Sequence, residues 1–152
     1  MFSRYDIVSI YNKFMMLRIA VDFDGTIVEN RYPQIGKPIL FAFETLKMLN
    51  KKGHLLILWT CREGDLLQQA VDFCNENGVE FYAINGNYPE EKLESAVSRK
   101  VDANIYIDDR NIGGFVGWTT VWNAIYPEDE MVEQPRNIFK WRFNSKRTRG
   151  NK

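Results

Sequence analysis

The chain has 152 residues, 45% hydrophobic and 26% charged, a balance that suits one globular domain burying about two-thirds of its unfolded surface and excludes a collagenous or disordered polymer. Twenty basic and twenty acidic residues cancel, so no strong field points to nucleic acid or to an anionic membrane surface. The longest apolar run, Leu55 to Trp59, falls far short of the ~20 residues that span a bilayer.

In chain order, residues 1–16 read as an N-terminal extension. Ile7, Ile10, Tyr11 and Phe14 fall at helical spacing, while Met15 and Met16, directly before the first apolar strand, leave open a start at that point. Charges at Arg4, Asp6 and Lys13 interrupt any signal-peptide core. Residues 17–135 read as the domain. Leu17–Asp22 is a strand, and Lys37–Lys52 a helix with Pro38 in its first turn and Gly53 at its end. His54–Thr60 is a continuous apolar run, as expected of a buried strand; Asp65–Glu76 returns to helical period. Glu80–Asn85 is a third strand, Glu90–Ser98 a short third helix, Ala103–Asp109 a fourth strand and Trp118–Tyr126 a last helix. Residues 136–152 form a basic tail, expected to be solvated and mobile; its Phe139, Trp141 and Phe143 leave stacking on nucleic acid as a minor alternative.

Alternation of strand and helix predicts an α/β fold, a three-layer Rossmann-like parallel sheet with helices on both faces. A fifth strand has no clear candidate: either a very short one lies near Phe115, or the sheet stops at four. Cys61 and Cys74 match neither a metal spacing nor a disulfide framework, so free thiols in a reducing cytoplasm are expected.

The polar residues fall where such sheets bind ligands, beyond the carboxyl ends of the strands. Asp22 and Asp24 follow the first strand, Thr60 the second, Asn85 and Asn87 the third, Asp108 and Asp109 the fourth, with Lys100 just upstream. Taken singly each has an ordinary explanation as a turn, a cap or a solvated end. Together they crowd acids at one rim, and acids so placed repel one another unless a positive charge joins them. Hard oxygen ligands favour Mg2+. The lone histidine, His54, begins its strand at the opposite end and reads as structural, which leaves Cys61 without a Cys–His pair.

"VDFDGTI", "ILWTCREG" and "SRKVDANIYIDDR" resemble, in that order, the motifs of the haloacid dehalogenase-like (HAD) superfamily of phosphohydrolases, over about residues 17–115. The resemblance implies that Asp22 is a nucleophile forming an aspartyl phosphate and that Asp24 is the general acid and then base. Thr60 and Lys100 would hold phosphate. Mg2+ would sit on Asp22, the backbone carbonyl of Asp24, Asp108 and Asp109. An acid at Asp24 implies a phosphatase. Only about 12 residues, Ile27 to Pro38, lie between the first motif and the first helix, so a capless, open site is implied. Residues 28–36 would be a local flap whose Glu29, Asn30, Arg31 and Tyr32 face the leaving group. Gly25, Thr26, Arg62, Asn85 and Asn87 are further substrate-binding candidates, Arg62 through a bidentate grip on a phosphate oxygen. The expected substrate is a phosphate ester, small or macromolecular; no membrane or nucleic acid is expected, and a second copy of the chain is a candidate for closing the site.

Three other readings compete. A receiver-like phosphoacceptor has its phosphorylated Asp after the third strand, whereas Asn85 stands there. A non-catalytic HAD-like or regulatory domain would have no need of every motif residue. A calcium loop at residues 22–30 lacks the required spacing.

Overall fold

The computed structural model describes residues 15–91 and 100–129. The N-terminal stretch 1–14, most of the expected helix Glu90–Ser98 and the basic tail after Pro135 lie outside the described residues. Within them the chain adopts an α/β fold. Strands β1 (Arg18–Val21), β2 (Leu55–Leu58), β3 (Ala83–Ile84) and β4 (Ile105–Ile107) form one sheet in the order β3-β2-β1-β4, every pairing parallel. Helices α1 (Ala42–Lys51) and α2 (Gly64–Glu76) connect the first three strands, and α3 (Trp118–Ile125) follows the fourth. No helix is long and apolar enough to cross a membrane, among the described residues.

Burial follows the two-residue alternation of a strand. Ala20 and Ile57 join Ala83 and Val101 in a buried cluster lined by Trp59, Tyr82, Ala103 and Tyr106. Ile19, Val21, Leu56 and Leu58 point the other way and are fully buried too. The same alternation turns Phe23 away from its flanking acids. Its ring meets Phe73 of α2 edge-on at 6.4 Å, and Phe73 meets Phe43 of α1 at 5.8 Å. The acidic turn is thereby anchored to both helices through its one apolar residue.

Several expected elements differ in their bounds, two of them for a clear local reason. The first helix begins at Ala42 rather than Lys37, because Pro38 pairs antiparallel with Val28 and the Ile39 N–H donates to the Ile27 carbonyl at 2.9 Å. That segment closes the base of the flap and cannot also be helix. Strand β3 has two residues instead of six, since Asn85 turns left-handed at φ 51° and ends the ladder. No fifth strand forms near Phe115 among the described residues. Gly113, Gly114 and Gly117 all take positive φ there, and Phe115 packs edge-on against Trp118 at 5.4 Å.

Contacts divide the chain into two compact units, with the sheet, α1 and α2 in residues 16–118. Of the other unit, residues 119–129 carry most of α3, where the Trp122 and Tyr126 rings lie 4.6 Å apart and Trp122 Nε1 donates to the Asp129 carbonyl at 2.7 Å. Both cysteines are free: Cys61 is exposed, whereas Cys74 is buried and its thiol pushed up to about 12 by desolvation.

Candidate metal and phosphate site

Strand order places the site. β1, β2 and β3 step outward in one direction and β4 lies on the other side of β1, so the sheet's switch point falls between β1 and β4. Ligands bind at such points, beyond the carboxyl ends, because the flanking loops diverge there. Asp22 leaves β1 and Asp108 leaves β4 at that crevice, and the Asp22 N–H still donates to Ile107 O at 2.9 Å.

The carboxylates of Asp22, Asp108 and Asp109 each offer an oxygen within 4.8 Å of the others. A hard cation with ligands at about 2.1 Å would draw three such oxygens to comparable separations. Asp22 feels the crowding: its carboxyl is pushed up to about 7, chiefly by burial, with Asp108 and Asp109 adding repulsion against the relief given by the Phe23 backbone N–H and the Thr26 hydroxyl. Thr26 Oγ1 donates to Asp22 Oδ2 at 3.1 Å. Asp109 Oδ1 is buried without a hydrogen-bond partner among the described residues, a costly position for an acid oxygen. Gly25 makes room for that acid. At φ +92°, a Cβ there would stand 2.1 Å from Asp109 Oδ2. An orphaned acid oxygen, a glycine-cleared approach and an all-oxygen donor set fit a bound divalent cation. Asp108 is fixed in its turn, Oδ1 accepting from the Arg110 N–H at 2.7 Å and its carbonyl from Asn111 at 3.1 Å.

Asp24 departs from the cluster. Its carboxylate takes both arms of Arg62, Nε to Oδ2 and Nη2 to Oδ1, each at 2.7 Å. The chain bends at Phe23, so the two acids do not stay side by side as an extended backbone would leave them. The positive charge that accompanies Asp24 is the Arg62 guanidinium. That corrects the expected role of Arg62: fully buried and committed to Asp24 and to the Pro33 and Gln34 carbonyls, it is not free to grip phosphate.

Thr60 stands at the end of β2, its N–H donating to Asn85 Oδ1 at 2.8 Å and its Oγ1 accepting from the Arg62 N–H at 3.2 Å. Asn85 therefore braces Thr60. Asn87 is likewise an internal tie, accepting from the Asp102 N–H at 2.7 Å and reaching Glu91 with its own N–H. Lys100 is exposed and holds its ammonium 4.2 Å from the centre of the Tyr106 ring. Lys100 is thereby tied to Tyr106 of β4, the strand that Asp108 follows. In the flap, Arg31 pairs loosely with Glu29 at 3.7 Å, both well exposed; they face solvent rather than the acids. Asn30 is exposed as well.

No protein-family model matches the chain, and no curated protein matches it significantly. A solved structure does: a conserved protein coded by a locus of Bacteroides thetaiotaomicron, 52% identical, covering 74% of this chain and 92% of its own, with a TM-score of 0.69. The chain belongs to that protein's family. The match fixes the fold and brings no activity with it, so the chemistry of this family member rests on the geometry above. One supporting residue had no signal in the sequence. Trp118, buried at the start of α3, donates its Nε1–H to the Thr26 carbonyl at 2.9 Å and steadies the turn that carries Gly25.

Proposed function

We propose that the chain is a Mg2+-dependent phosphomonoesterase of the HAD type, working through an aspartyl phosphate on an open, capless site, in a cytoplasmic setting. One observation carries the reading: Asp22, Asp108 and Asp109 meet at the sheet's switch point with a buried, unpartnered acid oxygen among them.

The Asp22, Asp108 and Asp109 carboxylates, with the Asp24 carbonyl, would hold Mg2+, which would supply charge neutralisation for the phosphate. The remaining work belongs to the chain. Asp22, desolvated by burial, is a nucleophile once counter-charged; a carboxylate oxygen forms a bond to phosphorus as the ester P–O bond breaks. Asp24, 14% exposed, gives a proton to the departing oxygen and takes one from the water that later splits the acyl phosphate. Thr60, whose Oγ1 already accepts from Arg62 N–H, keeps its hydroxyl hydrogen for a phosphate oxygen. Lys100, held against Tyr106, would balance the charge of the bound phosphate. Phosphoryl transfer asks chiefly for such positioning and charge stabilisation.

A phosphate-release screen over phosphorylated sugars, nucleotides and phosphopeptides, run with Mg2+ and with Asp22→Asn as blank, tests this. Turnover lost in the variant and in chelator supports it; equal release by the variant, or none from any ester, refutes it.

A further inference from the structure

We propose that Arg62 is the positioning residue of this site: one buried guanidinium holds the Asp24 carboxylate and pins the tip of the 28–36 flap, so that proton transfer and closure over the leaving group depend on the same side chain. The catalytic half of this statement rests on the phosphatase reading; the structural half does not.

Arg62 has no exposed surface, and a charge so buried is tolerated only when paired and hydrogen-bonded. Four of its five N–H donors are occupied: two on Asp24, Nη1 on Pro33 O and Nη2 on Gln34 O, the last two at 2.9 Å. Its Cζ lies 5.0 Å from the Phe23 ring centre and 5.4 Å from that of Tyr32. Phe23 is fully buried and Tyr32 58% exposed, so one ring is floor and the other is lid. Its backbone N–H fixes Thr60 Oγ1 at 3.2 Å. Arg62 thus touches both residues proposed to handle the ester oxygen and the phosphate, without reaching solvent itself.

The flap has two attachments. Its base is backbone: Glu29 N–H to Lys37 O at 2.8 Å, and Gly36 pressed so close that a Cβ would stand 2.0 Å from Glu29 O. Its tip is held through the Pro33 and Gln34 carbonyls by Arg62. A lysine offers a point charge and not a planar fork, and cannot serve an acid and two carbonyls together.

The test is Arg62→Lys, compared on 4-nitrophenyl phosphate, whose leaving group needs little protonation, and on glycerol 3-phosphate, whose alkoxide needs it. Misplacing the acid is expected to cost about 10²-fold in turnover on the alkyl ester and under about tenfold on the aryl ester. Trypsin should also nick faster after Arg31, in the released tip. Equal loss on both esters with wild-type nicking overturns the proposal. If Arg62→Lys does not fold, Tyr32→Ala, on the exposed side, decides: faster nicking with selective loss on the alkyl ester supports the proposal, and no change in either overturns it. Should the wild type hydrolyse no ester of the screen, these two included, the phosphatase reading fails, while the nicking comparison still decides whether Arg62 holds the flap.

Discussion

Replacing Asp22 by asparagine should remove the chemistry and stabilise the metal-free protein. The Asp22 carboxyl rises from 3.8 to about 7 on folding, first because it is desolvated and then because Asp108 and Asp109 repel its charge. Between about pH 4 and pH 7 the folded state therefore holds a proton that the unfolded chain has released, so stability falls as pH rises through that window. A shift of roughly three units corresponds to about 4 kcal/mol above pH 7, and the part of the group still in contact with water reduces what is observed to about 2–4 kcal/mol. Asparagine stays neutral and can still accept from Thr26. In chelator, urea unfolding should thus show Asp22→Asn matching the wild type near pH 4 and exceeding it by that amount near pH 8. His54, held below its ordinary value by burial and Lys52, adds stability as pH rises, but equally in both proteins, so it cancels in the difference. Saturating Mg2+ should narrow the gap by stabilising the wild type. A gap independent of pH, or a wild type more stable at pH 8 without metal, would refute the electrostatic argument.

Gly25→Ala places a methyl 2.1 Å from Asp109 Oδ2 on a backbone at φ +92°; calorimetric titration with Mg2+ should show binding lost, with a stability cost of about 1–2 kcal/mol or more from the left-handed conformation alone. Trp118→Phe leaves the fully buried Thr26 without its carbonyl partner and should cost about 1–3 kcal/mol by urea unfolding. Thr45 Oγ1 is buried in α1 without a hydrogen-bond partner among the described residues, so Thr45→Val should be neutral or raise stability by about 1 kcal/mol, read as a higher midpoint with unchanged slope.

What the sequence disclosed was whatever periodicity and strand ends encode. The apolar run expected at His54–Thr60 is a strand over Leu55–Leu58, and the helix expected at Asp65–Glu76 runs over Gly64–Glu76, because burial on both faces or on one stripe leaves a local signature. The meeting of Asp22 with Asp108 and Asp109 was legible for the same reason: each acid ends an apolar strand. Pairings between loops left no such trace. That Pro38 would bridge Val28 rather than open a helix depends on a partner ten residues away. Arg62 carries the same letter whether it faces phosphate or Asp24; the choice is made by the bend at Phe23 and by the flap carbonyls, which no spacing rule registers. Asn85 and Asn87 read as turn residues near a ligand, and the structure gives both to backbone bracing instead.

The central claim is a cation held by acids from β1 and β4. Crystals grown with Mn2+ and measured for anomalous scattering test it directly. The account predicts a strong peak in contact with the carboxylates of Asp22 and Asp108; data with no peak between them, or with the metal bound only elsewhere, would contradict it.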